Sequence, residues 1–207
     1  MDTPSGLQSP RHGAIIDPPS RATLHLPEEW HHHGLESGKF FPRTGANLQD
    51  PYAPEDVPNV APPEDGRIAS AGKSFAADLD EPGDRWTKLA VSSGQDLTVS
   101  WGYHKQHKSR RYNYFLTDPD WDRDAPLSRA QFGPGPSQDP QPIHMHLLSC
   151  KPYWNPECKD ELEPGDTTSH TFTLPQRSGW HVLLAVWEVA DTPNAFYQAI
   201  DLDFADE

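Results

Sequence analysis

The stretch HVLLAVWEVADTPNAFYQAIDLDF, residues 181–204, decides the fold class of this chain. Residues Trp180–Ala190 form a near-continuous apolar run, long for a strand but too rich in β-branched and aromatic residues for a helix. The segment Ala195–Phe204 then alternates between apolar and polar residues, which is typical of a half-buried strand. The stretch therefore predicts two β-strands.

Five shorter segments upstream carry strand signals as well. Residues Leu97–Tyr103 and Tyr112–Leu116 alternate between apolar and polar positions, as half-buried strands do. Three further strands are predicted at Ala14–Ile16, Ile143–Leu148 and Ser169–Leu174. Short strands separated by Pro- and Gly-rich turns predict an all-β fold, an immunoglobulin- or fibronectin-like β-sandwich.

The stretch 23–63, between the first of these strands and the rest, shows neither a strand period nor a helix period. It is rich in Pro, Gly, His and acidic residues, with isolated aromatic side chains such as Trp30. We therefore predict a long structured loop region with short helical turns, one of them at Pro27–His33. A loop of this length inside a domain is usually functional or disordered.

The composition fits one domain of short strands and stiff loops. The 207 residues suffice for one hydrophobic core and are short for two, and 23 Pro with 14 Gly disfavour long helices. The formal net charge of −14 argues against nucleic acid or an anionic membrane as a partner, because phosphate groups would repel the surface. It is compatible with a neutral, insoluble substrate, and we expect a monomer.

Eleven histidines are more than packing requires, and they are the candidates for metal chemistry. On a strand, His144 and His146 would face the same side, where they could chelate a metal or simply be exposed polar positions. The run His31–His33 could likewise bind a metal or lie on the plain surface. His104 and His107 bracket the end of a predicted strand, where either could be a ligand. The sequence contains neither a G-x-S-x-G motif nor a phosphate-binding glycine-rich loop.

The two cysteines, Cys150 and Cys158, lie close together in the segment SCKPYWNPECK. Their short separation and the prolines between them favour a local disulfide, which would imply an oxidising destination. Two free thiols in a cytosolic protein are the alternative. A zinc site at these residues is disfavoured, because the sequence has no second pair of cysteines.

Four blocks of the sequence resemble the copper-dependent lytic polysaccharide monooxygenases of the bacterial chitin-binding type. They are HGAIIDPPSRA (12–22), DGRIASAGKS (65–74), RRYNYFLTDPDWD (110–122) and the stretch 181–204. The blocks stand in the family's order and span nearly the whole chain. The resemblance implies a family domain over residues 12–207, preceded by a flexible leader, residues 1–11.

The resemblance further implies a single copper ion held by a histidine brace. The brace would consist of the α-amino group and a ring nitrogen of His12, as first residue of the mature chain, and a ring nitrogen of His107. Phe196 would occupy one axial side of the copper. Such a protein would be secreted and would cleave chitin, or as second choice cellulose, oxidatively, using an external electron donor and O₂ or H₂O₂.

A flat polysaccharide-binding face around the copper is also implied by the resemblance. Asp191, Thr192 and Asn194 match family positions on that face. The family also uses an aromatic residue and a glutamate from the loop region. The candidates for these two roles are Trp30, Tyr52, Glu55 and Glu64.

Two features depart from the family pattern. Residues 1–11 precede His12, so its α-amino group becomes available only if the bond after Arg11 is broken, and these residues lack the apolar core of a secretory signal. Lys105 stands where the family usually has alanine, close to the copper. Both features keep an alternative open, a non-catalytic carbohydrate-binding module with the same fold. A third hypothesis is an acidic interaction protein that accompanies a toxin or a secretion apparatus.

Overall fold

The long apolar run forms the middle strand of a six-stranded sheet in the computed structural model. The structure describes residues 13–47, 49–50, 56, 58–132, 140–148 and 164–205. In these ranges the strands are β1 (Gly13–Asp17), β2 (Glu36–Gly38), β3 (Leu89–Val91), β4 (Asp96–Tyr103), β5 (Ser109–Leu116), β6 (His144–Leu147), β7 (Thr167–Thr173), β8 (Gly179–Val189) and β9 (Asn194–Phe204). The helices are α1 (Arg21–His25) and α2 (Glu29–His32), with 3-10 helices at Ser74–Asp80 and Arg129–Gln131.

The strands form two sheets. In the smaller sheet, β4 lies between β1 and β7, and both pairs are antiparallel. In the larger sheet the order is β2-β9-β8-β5-β6, and β3 adds a parallel pair with the end of β9. The predicted all-β sandwich is confirmed, and each of the seven strands predicted from the sequence coincides with an observed strand to within a few residues.

The first hydrophobic cluster lies between the two sheets. Trp101 of β4, Phe172 of β7 and Trp187 of β8 contribute large buried side chains to it. Along β8 its members are every second residue, as the period of a strand requires. They are Leu183, Ala185, Trp187 and Val189.

A second hydrophobic cluster covers the opposite face of the larger sheet. The intervening residues of β8, Val182, Leu184 and Val186, belong to it. Their partners come largely from the chain between β1 and β3, and include Leu35, Phe41, Ile68 and Trp86. The chain between β1 and β3, which includes the loop region, therefore forms a third layer. Burial of β8 on both faces explains why its sequence is apolar almost throughout.

Several short elements carry no signal in the sequence. Strands β2 and β3 have three residues each and α1 has five, too few for a period to show. Helix α1 begins where the Ser20 hydroxyl accepts a hydrogen bond from the Thr23 backbone N–H, at 3.3 Å. The helical turn predicted at Pro27–His33 is confirmed by α2. Within the described ranges, no helix is long and apolar enough to cross a membrane.

A buried ionic network ties the loop region to the larger sheet. The Arg111 guanidinium donates to both carboxylate oxygens of Glu188, at 2.8 and 2.9 Å. The same guanidinium bonds both carboxylate oxygens of Asp50, at 3.1 and 3.2 Å. Glu188 also accepts a hydrogen bond from the Phe40 backbone N–H, at 3.2 Å. The network therefore joins β5 and β8 to two separate points of the loop region.

Candidate functional site

His107 lies in the loop between β4 and β5 and is only 8 % exposed. Its ring stacks on the Phe196 ring of β9, with the centroids 6.4 Å apart and the planes at 28°. The Trp187 ring of β8 lies 6.2 Å away. The structure thus brings together two residues that sequence reasoning selected, His107 and Phe196, from points 89 positions apart in the chain.

One ring nitrogen of His107 is occupied by a carboxylate. His107 Nδ1 lies 3.2 Å from Asp191 Oδ1, and the Asp191 side chain is partly exposed. An ionised carboxylate only accepts hydrogen bonds, so Nδ1 carries the hydrogen and the lone pair is on Nε2. Burial raises the pKa of Asp191, but its hydrogen bond with His107, the favourable electrostatics of that ring and backbone hydrogen bonds leave this pKa below its usual value. His107 Nε2 is therefore oriented as a potential metal ligand.

Trp187 lies at the centre of the aromatic cluster beside His107. Its ring stacks on Phe196, with centroids 4.9 Å apart, and meets Tyr103 edge-on at 4.7 Å. Gly13, the first residue of β1, crosses the same indole so closely that a Cβ atom there would lie 2.6 Å from Trp187 Cζ3. Only glycine allows the start of β1 to pass this close to Trp187.

A chain of hydrogen bonds through Ser109, Tyr112 and Tyr103 holds the Trp187 indole in place. Its Nε1–H donates to the Ser109 hydroxyl at 2.9 Å, and Ser109 Oγ and Tyr112 Oη are 2.8 Å apart. Tyr112 Oη is in turn 2.8 Å from Tyr103 Oη. Burial raises the pKa of both tyrosines, so their hydroxyls stay neutral and act as paired donors and acceptors.

The turn between β8 and β9 carries Asp191, which contacts His107, and Thr192, while Asn194 is the first residue of β9. All three side chains are at least partly exposed. Asn194 Nδ2 donates to Glu36 Oε2 at 3.2 Å, which joins this turn to β2. The residues around this contact line an open groove, and they include Glu36, Val60, Glu64, Lys73 and Asn194.

Glu36 is a site residue that sequence reasoning missed. It pairs with Phe196 in the register of β2 and β9, and Lys73 Nζ lies 3.9 Å from its other carboxylate oxygen. Because β2 has three residues, no periodicity marked Glu36 as part of the sheet. Of the loop candidates, Glu64 lines the same groove, while Trp30 is 51 % exposed on α2.

Some predicted residues lie outside the described ranges. They are His12, Tyr52, Glu55, Cys150 and Cys158. Lys105, which departs from the family pattern, is described and its side chain is exposed.

The remaining histidines separate into distinct environments. His144 and His146 share one side of β6, as predicted, and both lie beside His170 of β7, with ring centroids 6.2 and 4.9 Å away. His31 stacks on Phe75 at 4.5 Å, and His32 Nε2 lies 2.8 Å from the Leu26 carbonyl oxygen.

Comparison with known sequences identifies relatives over nearly the whole chain. A family profile described as "Lytic polysaccharide mono-oxygenase, cellulose-degrading" matches residues 12–202. GlcNAc-binding protein A of Vibrio cholerae is 35 % identical over 160 residues, which are 75 % of this chain and 28 % of that protein. The homologous protein of Shewanella oneidensis is 31 % identical over 94 % of this chain and 36 % of its own length. The chain thus spans about a third of the length of these relatives.

Solved structures share the architecture. A chitin-binding domain from Burkholderia pseudomallei is 49 % identical, with a TM-score of 0.88 over 95 % of this chain and 100 % of that one. A lytic polysaccharide monooxygenase from Photorhabdus luminescens is 31 % identical, with a TM-score of 0.70 over 95 % and 100 % of the two chains. A Bacillus amyloliquefaciens protein of the CBM33 class, solved in complex with Cu(I), is 28 % identical with a TM-score of 0.66 over 93 % and 99 %.

Proposed function

The chain belongs to the lytic polysaccharide monooxygenase family, and on that premise we propose that it binds one copper ion and cleaves chitin oxidatively. The observation that carries the proposal is the arrangement of His107, Asp191 and Phe196. Asp191 holds the hydrogen on Nδ1 of His107, which leaves Nε2 for a metal. Phe196 places an apolar ring beside the imidazole.

The start of β1 supports His12 as the other ligand. Gly13 lies against Trp187, and Trp187 also contacts the Phe196 and His107 rings. The described chain therefore enters this aromatic cluster at Gly13, the residue that follows His12 in the sequence. In a chain that begins at His12, the α-amino group and one imidazole nitrogen would join His107 Nε2. Amine and imidazole nitrogens are the donors that Cu(II) prefers.

The residues around the proposed copper site each have a defined task. Asp191 fixes the tautomer and orientation of His107, and Trp187 fixes the position of both the imidazole and the start of β1. Phe196 excludes water and further ligands from one side. When bound, copper would supply the one-electron chemistry with O₂ or H₂O₂ on which cleavage of a glycosidic chain depends, with electrons from an external donor.

The substrate would lie across the turn between β8 and β9. Thr192 and Asn194 offer polar groups there, Glu36 extends this surface into the groove, and Trp30 offers an exposed aromatic ring at α2. We propose chitin, since the relatives are described as GlcNAc-binding and chitin-binding proteins. Cellulose is the second choice, in line with the description of the family profile.

Several further features remain part of the proposal. The catalytic domain would be residues 12–207, and it would be active only if His12 becomes the first residue of the chain. The protein would act outside the cell as a monomer, where a disulfide between Cys150 and Cys158 could form. Neither nucleic acid nor a membrane is expected as a partner of so acidic a chain.

The test compares protein that begins at His12 with protein that begins at Met1. The form beginning at His12 should bind Cu(II) tighter by about a hundredfold or more, since loss of one chelating nitrogen costs several kcal/mol and 1.4 kcal/mol is about tenfold. It should also release oxidised oligosaccharides from chitin when copper and a reductant are supplied. Calorimetry and mass spectrometry of the products measure these two effects. His107→Ala in the form beginning at His12 should weaken Cu(II) binding and abolish product release, and equal affinity of the two forms would contradict the proposal.

The alternative function is a non-catalytic chitin-binding module. The exposed Lys105, in the same loop as His107, favours it because a cation repels a metal ion. Such a module would bind chitin, and EDTA would not distinguish it from the enzyme, because a flat face rather than the metal would supply most of the contact area in both. The module would release no oxidised product, even when the chain begins at His12 and is loaded with copper.

A further inference from the structure

A second group of metal-binding side chains lies beside the loop that carries His107. It consists of Glu29 of α2, His33 at the end of α2, and His104 just after β4. One ligand atom from each of the three residues lies within 4.8 Å of the other two. In the part of the chain that the structure describes, this is the one group of three or more His, Cys, Asp or Glu side chains gathered so closely.

The geometry of the group follows from local structure. Glu29 and His33 are four residues apart, so they lie on the same face of one helical turn. His104 approaches that face from the other segment: its Nε2 lies 3.2 Å from Glu29 Oε1, and its ring meets the His33 ring edge-on at 4.0 Å between centroids. Two segments that are 71 residues apart in sequence thus meet through these three side chains.

The three consecutive histidines His31–His33 lie in three different environments. His31 stacks on Phe75, the His32 ring lies at a backbone carbonyl, and only His33 faces another histidine. His33 is 7 % exposed, whereas the side chains of Glu29 and His104 are 75 % and 54 % exposed. A metal at this point would have one buried anchor and two ligands at the surface.

The donor set matches a particular class of ion. Two imidazoles and one carboxylate are a common set of protein ligands for zinc, and they leave a fourth tetrahedral position for water. In such a set the carboxylate supplies one negative charge and the two imidazoles supply nitrogen lone pairs. Such a set disfavours Ca²⁺ and Mg²⁺, which select oxygen ligands.

We propose that Glu29, His33 and His104 form a second metal site, for a divalent ion of the zinc class, separate from the copper site proposed at His107. The ion would link α2, which carries the exposed Trp30, to the loop between β4 and β5. It would therefore fix the loop region against the segment that positions His107. This inference does not depend on catalysis, because it concerns other side chains and a redox-inert ion.

The test is a calorimetric titration of the full chain with Zn²⁺ alone. His104→Ala and Glu29→Gln alter exposed side chains and should leave the fold intact, while each lowers the zinc affinity, the histidine change by about tenfold or more. His33→Ala should also lower the zinc affinity by about tenfold or more. Zinc should also raise the melting temperature of the unaltered protein, and this increase should shrink in the three variants.

Two control variants distinguish the proposed site from zinc binding at the copper site or at the histidine run in general. His31→Ala removes the neighbouring histidine of the same run and should leave zinc affinity unchanged, as should His107→Ala. Loss of zinc binding in His107→Ala would place the ion at the proposed copper site and overturn the inference. Equal losses in His31→Ala and His33→Ala would show a histidine run without a defined site. Unchanged binding in His104→Ala would overturn it as well.

Discussion

At the residue scale, Glu188 illustrates what a linear sequence conceals. It stands inside the apolar run of β8, yet it is fully buried and bonded to Arg111, Asn113 and the Phe40 backbone. Burial raises the pKa of its carboxyl group, and the charge of Arg111 opposes this effect. Arg111 and Asp50 come from distant segments, so no local pattern predicts the network.

Removing Glu188 leaves the buried Arg111 guanidinium with Asp50 as its remaining carboxylate partner in this network. Glu188→Ala should lower the free energy of unfolding by about 3–5 kcal/mol, because Arg111 would lose one of its two buried carboxylate partners and the Asn113 amide and Phe40 N–H would lose their acceptor. Urea denaturation followed by circular dichroism measures the change. Asp203→Ala removes an exposed carboxylate from the neighbouring strand and should cost less than about 0.5 kcal/mol. Similar small losses in both variants would show that the network contributes little.

At the scale of elements, strand β2 joins the loop region to the candidate site. Gly38 donates its N–H to the Ala61 carbonyl oxygen at 2.9 Å, and a Cβ atom at Gly38 would lie 2.2 Å from the Val60 carbonyl oxygen. On the same strand, Glu36 bonds Asn194. The periodicity of the longer strands could be predicted from the sequence, whereas a three-residue strand has no period and is defined by its partners.

The close approach at Gly38 gives a specific expectation. Gly38→Ala should push residues 60–61 away from β2 and destabilise the protein by about 1–3 kcal/mol, since backbone atoms cannot yield as a side chain can. Thermal unfolding measures this loss. Gly165→Ala is the control, because a Cβ atom there would lie 3.8 Å from its nearest neighbour. A melting temperature of Gly38→Ala equal to that of the control would show that residues 60–61 move aside freely.

At the scale of the whole molecule, the sequence predicted a two-sheet sandwich but not a third layer. Alternation along Leu97–Tyr103 and Ala195–Phe204 indicated strands, and both prove correct. The aperiodic stretch 23–63 gave no sign that it covers the other face of β8, because its contribution consists of scattered residues such as Leu35 and Phe41. At the site, resemblance to a family selected His107 and Phe196. The position of Glu36 beside Phe196 and the contact between His33 and His104 depend on how distant segments meet, so the sequence did not predict them.

Acid should weaken the whole domain through two buried histidines. Burial, aided by His146 and His144, lowers the pKa of His170 to about 4, and burial with the charge of Arg177 lowers that of His181 to about 4. An unfolded histidine titrates near pH 6.5, so between about pH 6.5 and 4 the unfolded state binds more protons. The free energy of unfolding should therefore fall as the pH falls through this window, and these two groups contribute no change above it.

Urea denaturation over this pH range measures the effect. Each unit by which folding lowers a histidine pKa should reduce the free energy of unfolding by about 1.4 kcal/mol at the acid end of this pH window. His170→Gln and His181→Gln should each make the dependence on pH shallower. An unchanged slope in the double variant would show that other groups cause the acid sensitivity.

The double burial of β8 also limits how this domain can be shortened. The loop region contributes buried residues such as Leu35 and Phe41 to the second cluster, so it is inseparable from the sandwich. A protein without the loop region would expose Val182, Leu184 and Val186 to water as a continuous hydrophobic patch. Such a chain would collect in inclusion bodies when expressed. A smaller version of this domain must therefore be sought by changing the exposed tips of the loop region, with its interior left in place.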